Sequence, residues 1–294
     1  VGCAGPIMNP RMKPKAQIPA LPPEVRPGQS VALLQHLHIL TRDGKLNQDS
    51  RRKLKQVHHL VQFIEKILNE LPKSSTGPVL ADHGAGKSYL GFILYDLYFK
   101  ALGTGSIWGI ETRAELVKSA QDLAQSLGFE RMHLVHASVA EAAQSTQLPE
   151  RFDIITALHA CDTATDDAIG FGLSKQARGM VLVPCCQAEA ATLLRQHKAL
   201  FLSQTPLAEL WRHPLHTREM GSQLTNVLRC LYLEAMGYQV TVTELVGWEH
   251  SMKNELILAK YTGQKKRSAA ERLTDLLKEF GIEELLAQRY PLGA

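Results

Sequence analysis

Between residues 79 and 183, short apolar runs alternate with amphipathic helical stretches, and this alternation constrains the fold more than any other feature. The strand candidates are Val79–Asp82, Ser106–Glu111, Met132–His136, Asp153–Leu158 and Met180–Val183. Helices are expected near residues 87–102, 113–127, 139–147, 163–177 and 187–199. Strands that read as near-continuous apolar runs are buried on both faces, and alternating strands and helices close as a parallel sheet with helices on either side. A further helical stretch ends near Met236, and two adjacent strands follow, Tyr238–Leu245 and Leu256–Tyr261, joined by a turn carrying Gly247, Trp248 and His250. The expected architecture is a doubly wound α/β sheet with a terminal antiparallel hairpin.

The flanks read differently. Residues 1–29 hold seven of the fourteen prolines and form a Pro-rich arm, because proline favours extended, solvated backbone. Residues 30–75 form a helical module. It has a short helix over 30–40, then a longer one that Asp49 or Ser50 would cap, with Leu54, Val57, Val61, Ile64, Leu68 and Leu71 on one face. Arg51, Arg52, Lys55, Gln62, Glu65 and Lys66 lie opposite, either as a solvated face or as a phosphate-binding one. Residues 72–77 (PKSSTG) link this module to a main domain over 76–265, and a peripheral helical tail is expected over 266–294. The net charge of +4 permits an acidic partner such as RNA without demanding one. No apolar run reaches the ~18 residues of a membrane span, and no apolar segment follows Arg11, Lys13 and Lys15 as a secretory signal requires, so a cytoplasmic protein with no membrane partner is expected. Five cysteines without a repeated CxxC pair argue against a disulfide framework and a zinc finger, and no metal site is expected.

The sharpest local signal is Val79-Leu80-Ala81-Asp82-His83-Gly84-Ala85-Gly86-Lys87-Ser88. In one reading it is a relaxed phosphate loop, with Lys87 on the terminal phosphates and Ser88 on magnesium. In the other, Asp82 closes the first strand while Gly84 and Gly86 let the backbone approach a nucleoside cofactor, and Glu111, closing the second strand, accepts both ribose hydroxyls. The second reading is favoured. A phosphate-loop enzyme needs an acid closing another apolar strand to hold magnesium, and Ile154–Leu158 runs instead into His159-Ala160-Cys161-Asp162.

Taken together, the Asp82-x-Gly-x-Gly-Lys87 loop, Leu158-His159-Ala160-Cys161-Asp162, Pro184-Cys185-Cys186 and Lys253-Asn254-Glu255-Leu256-Ile257 resemble the S-adenosylmethionine-dependent methyltransferases of the methyltransferase-32 domain type. That family includes tRNA ribose methyltransferases and a methyltransferase-like group. The basic stretch Lys53-Leu54-Lys55-Gln56-Val57 resembles the helix preceding the cofactor domain there, so the likeness runs over roughly residues 50–262. It implies a Rossmann-like class I methyltransferase sheet, S-adenosylmethionine as cofactor, and an RNA acceptor, with tRNA as one possibility. The alternatives are a protein or small-molecule acceptor, or a cofactor-binding domain without catalysis. The expected cofactor contacts are Asp82, Gly84, Gly86, Glu111, Ser138, Leu158 and His159. Two positions depart from the pattern. Gln187-Ala188-Glu189 stand where the tRNA enzymes carry histidines, and Asp162 replaces the usual glycine or cysteine.

Ligands of open parallel sheets sit beyond the C-terminal strand ends, which places His159, Cys161, Asp162, Cys185 and Cys186 beside the reacting methyl group. His159 or Asp162 would serve as general base. Cys185 would serve as a covalent nucleophile toward a pyrimidine. The same group could instead hold a metal, or simply pack as small apolar thiols. Cys186, Lys253 and Asn254 are expected on the acceptor side by resemblance, or are turn residues. Trp248 and His250 would stack on a base or pack. No Asn/Asp-Pro-Pro-aromatic motif follows the fourth strand, so the usual machinery for methylating an exocyclic adenine amine is missing.

Overall fold

The computed structural model describes residues 21–158, 160–185, 187–197, 206–245 and 254–292. The chain opens with helices α1 (Val31–His36) and α2 (Gln48–Glu70), and strand β1 (Val79–His83) follows. Helix α3 (Tyr89–Leu94) runs through a π turn, Tyr95–Phe99, into α4 (Lys100–Leu102). Next come β2 (Ser106–Glu111), α5 (Ala114–Ser126), β3 (Met132–His136), α6 (Val139–Gln144), β4 (Ile154–Leu158), α7 (Ala164–Ser174), β5 (Gly179–Val183) and α8 (Glu189–His197). A 3₁₀ turn at Pro206–Trp211 leads to α9 (Pro214–Ala235), β6 (Tyr238–Glu244), β7 (Glu255–Tyr261), α10 (Arg267–Glu279) and α11 (Glu284–Gln288).

The seven strands lie in the order β3-β2-β1-β4-β5-β7-β6. β1 to β5 are parallel, and β7 runs antiparallel to both β5 and β6. This is the doubly wound sheet with a terminal hairpin that the alternation predicts. Strand order reverses between β1 and β4, and the crevice at such a reversal is where open α/β sheets bind ligands. Alternate residues of each strand feed opposite layers. Ala81, Ile155, Met180 and Leu182 pack toward α6, α7 and α9, while Leu80, Ile107, Ile154 and Val181 pack toward α2, α3 and α5.

Both flanks contribute to these layers. Leu54, Val57, Val61 and Ile64 of α2 are buried in the same cluster as Leu80 and Val181, so the N-terminal helices share a core with the sheet. The start of α2 is capped by Asn47, not by Asp49 or Ser50: its side-chain oxygen accepts the Ser50 N–H at 2.7 Å. The C-terminal tail is not peripheral. Ala269, Leu273, Leu277, Ile282, Leu285 and Tyr290 are buried in the other layer, because the apolar stripe of α10 lies against α9. Among the described residues, no helix is long and apolar enough to cross a membrane.

Candidate functional site

The loop after β1 is built from left-handed backbone. Gly84 and Gly86 take φ of +61° and +57°, and Ser88, the residue before α3, takes +52°. Glycine adopts this region freely, whereas serine is strained there. A Cβ added at Gly84 would meet nothing within 4 Å, so this face of the loop is open. It opens onto a cleft of about 570 Å³ between the sheet and α2, lined by Asp82, Gly84, Gly86, Lys87, Arg113 and Leu158 on one side and by Arg52, Lys53 and Gln56 of α2 on the other. The Lys53 ammonium sits 3.4 Å from the Tyr89 ring centroid, joining α2 to the start of α3.

The two acids expected at the strand ends sit in contrasting surroundings. Asp82 is 2% exposed, and the Thr156 hydroxyl of β4 donates to its Oδ1 at 2.7 Å. Burial pushes its carboxyl up to about 7, against the smaller opposing pull of that hydrogen bond. Glu111 is 5% exposed but richly paired. Oε2 accepts the Gly86 N–H at 2.7 Å and Arg113 Nη2 at 3.2 Å, while Oε1 accepts the Arg113 backbone N–H at 3.1 Å and Nε at 2.9 Å. Burial alone would raise its pKa. The Arg113 guanidinium and the two backbone donors outweigh burial and hold it at about 2. Arg113 lines the cleft and shields Glu111 from it. Next to Asp82, His83 is buried against Phe171 with both ring nitrogens unpartnered, and burial lowers its pKa to about 4.

The ends of β4 and β5 form a second group. Cys161 Sγ and Cys185 Sγ lie 3.2 Å apart. Asp162, at φ +51°, turns its carboxylate onto the first turn of α8, where Oδ1 accepts the Ala188 N–H at 2.8 Å and the Glu189 N–H at 3.2 Å. Its carbonyl accepts Arg229 Nη2 at 2.8 Å, and the fully buried Arg229 pairs with Asp166. Asp162 therefore anchors α8 to the β4 loop, a positioning task distinct from the base role expected of it. Ser138 likewise serves its own helix: it forms a capping box with Glu141 at the start of α6 and does not line the cleft. The Asn254 carbonyl accepts the Leu245 N–H at 2.8 Å, at the open end of the β6–β7 pair. His159, Cys186, Lys253, Trp248 and His250 lie outside the described residues.

The phosphate-loop reading required Ser88 to reach a metal ion. Its hydroxyl is instead buried between α3 and β2, where it would stand 2.6 Å from a Cβ on Gly91 and 3.5 Å from one on Gly109. Sequence reasoning missed Thr156, Arg113 and the α2 wall of the cleft.

Residues 52–192 match the methyltransferase-32 family, described as a methyltransferase domain. This stretch is a methyltransferase domain. The methyl donor of the family is S-adenosylmethionine. The match begins in α2 and ends in α8, so it takes in both walls of the cleft and both groups of strand-end residues. Among solved structures, the chain is similar to the magnesium protoporphyrin IX methyltransferase of Synechocystis PCC 6803 with bound SAH, at 17% identity over 80% of this chain and 95% of that one, with a TM-score of 0.44. It is also similar to an rRNA methylase from Streptococcus thermophilus, at 9% identity over 68% of this chain and 95% of that one, with a TM-score of 0.41. The Methanococcus jannaschii fibrillarin pre-rRNA processing protein is 10% identical over 64% of this chain and 68% of that one, with a TM-score of 0.40. No curated protein matches the chain.

Proposed function

We propose that the methyltransferase domain binds S-adenosylmethionine in the cleft between α2 and the glycine loop and directs its methyl group to an RNA acceptor. The observation that carries the cofactor assignment is the loop itself. Left-handed glycines turn bare backbone toward an open cavity of about 570 Å³, with a buried acid at one end and an ionised acid behind Arg113 at the other. Gly84 and Gly86 would border the methionyl part, where a side chain would fill the space. Glu111 would take the ribose hydroxyls once Arg113 swings off it, and Asp82 would face the donor's cationic end.

When bound, S-adenosylmethionine supplies an electrophilic methyl group on a sulfonium. The chain's part is alignment, since methyl transfer is an in-line displacement that gains most from fixed geometry. Asp162 and Arg229 lock the β4 and β5 loops together, and His159 in that segment is the candidate to remove the acceptor's proton. An RNA acceptor is supported by the cations at the cleft rim: Arg52, Lys53, Lys87 and Arg113 can all approach a phosphate backbone. Arg51, expected on the same basic face, is paired with Glu24 at 3.2 Å and contributes less.

The deciding experiment incubates the protein and labelled methyl donor with total RNA, protein and metabolites from cells lacking the gene. Label entering RNA supports the reading. Label in another fraction reassigns the acceptor. Tight cofactor binding with no label anywhere leaves a cofactor-binding domain without catalysis.

A further inference from the structure

The two thiols at the ends of β4 and β5 carry a chemistry that methyl transfer does not require. Their strands are parallel neighbours, with Leu158 opposite Val183, so Cys161 and Cys185 follow corresponding strand ends. Their sulfurs are 3.2 Å apart. The two loops are also tied to each other, because the Asp162 carboxylate accepts N–H groups from Ala188 and Glu189, and Asp162 itself is tethered through its carbonyl to the buried Arg229. Cys161 is exposed and Cys185 half-buried, so an outside reagent reaches the first and the second waits beside it.

We propose that Cys161 and Cys185 form a dithiol site that undergoes thiol–disulfide exchange with a small disulfide of the glutathione type. The Cys161 thiolate attacks one sulfur of the incoming disulfide, forming a mixed disulfide and expelling one thiolate. The Cys185 thiolate then attacks Cys161 Sγ, forms the internal bond and expels the second thiolate. The two protein thiols lose two electrons and two protons, and the incoming disulfide becomes two thiols. The sulfurs need only close from 3.2 Å to the ~2.05 Å of a disulfide, a shift that side-chain rotation can supply. The exchange does not depend on the methyltransferase reading. If that reading holds, the oxidised form has Cys185 withdrawn from the acceptor side while the glycine loop and both acids are untouched.

The full-length protein, titrated with mixtures of oxidised and reduced glutathione, alkylated and mapped by peptide mass, tests this. The expected product is a single crosslink between the Cys161 and Cys185 peptides, two hydrogens lighter than the reduced pair and reversed by dithiothreitol. Cys161→Ser and Cys185→Ser should each stop at mono-glutathionylation of the remaining partner, and Cys186→Ser should still form the crosslink. Circular dichroism on each variant separates loss of exchange from loss of fold, and Cys161→Ser, at an exposed position, is the variant least open to that confusion. A Cys185–Cys186 crosslink, or full alkylation of Cys161 and Cys185 in the most oxidising glutathione mixture, would overturn the proposal. Affinity for S-adenosylhomocysteine, measured on the same oxidised sample, should stay within about twofold of the reduced protein. A loss of cofactor affinity with an intact crosslink would count against the cleft assignment and leave the dithiol site standing.

Discussion

Asp82 and Glu111 close neighbouring strands of one sheet and are joined by the same glycine loop, yet their carboxyls titrate in opposite directions. Asp82 is pushed up to about 7 because burial removes water and a single hydroxyl replaces it. Glu111 is held at about 2 because a guanidinium and two backbone donors more than replace the water it loses. Burial alone therefore does not decide the charge of an acid. What decides is whether the protein returns the hydrogen bonds and the counter-charge that water supplied. Within this cleft one acid is partly neutral near pH 7 and the other is ionised, and a cationic donor would reward ionisation of the first.

The loop that links the two acids offers the strongest way to break the comparison. Gly84→Val places a branched side chain in the open cleft on a backbone at φ +61°, and should abolish S-adenosylmethionine binding in calorimetry. Retained affinity would move the cofactor elsewhere. Glu111→Ala comes next. Removing a carboxylate that accepts two ribose hydroxyls should cost ~10–100-fold in affinity, from charge-assisted bonds of ~1.5–3 kcal/mol. If affinity is unchanged, Arg113 never releases Glu111 and the acid is structural.

Asp82→Asn tests the other acid through stability and pH. A carboxyl with a raised folded pKa stays protonated in the native state while the unfolded chain ionises, so wild-type stability falls as pH rises from about 4 to about 7. A neutral amide at this position would carry no such penalty. Thermal unfolding at pH 8 should show the variant more stable by roughly 1–3 kcal/mol, with the advantage gone at pH 4. Glu111 has the opposite sign. Its contribution is present above its unfolded pKa and disappears as pH falls from about 4.5 to about 2. An Asp82→Asn advantage independent of pH would mean that Asp82 is ionised throughout.

Smaller effects sharpen the picture of the loop. Ser88→Gly relieves a left-handed serine and removes a buried hydroxyl without a partner, against the extra entropy of an unfolded glycine, and should stabilise by about 1 kcal/mol in urea unfolding. Destabilisation would show that Ser88 Oγ holds α3 to β2 by packing. Lys87→Ala is the smallest. Lys87 is exposed and lines the cleft, so losing it should cost no more than ~1 kcal/mol of cofactor affinity. Magnesium-dependent ATP binding that vanishes in this variant would revive the phosphate-loop reading.

The sheet, its parallel core, the closing hairpin and the glycine loop were legible in the sequence because each rests on local rules. Apolar periodicity marks strands and helices, and left-handed turns demand glycine at fixed places in the chain. The strand-end acids were legible for the same reason. Periodicity alone did not disclose that β7 inserts between β5 and β6, since a hairpin can dock by either strand; only the family resemblance implied that order. It did not disclose that α2 walls the cleft, because an amphipathic helix announces an apolar face and not what that face meets. The charge states of the acids depended on partners that only folding delivers. Thr156 reaches Asp82 because β1 and β4 are neighbours, although 74 residues separate them in the chain. The place of Asp162 after β4 suggested a base, and did not disclose that its carboxylate also anchors α8, for its N–H partners lie 26 and 27 residues away. The Cys161–Cys185 contact joins two loops 24 residues apart. Local sequence sets which groups stand at the strand ends, and strand order sets which of them touch. A carboxylate's or a thiol's chemistry is governed by the groups it touches.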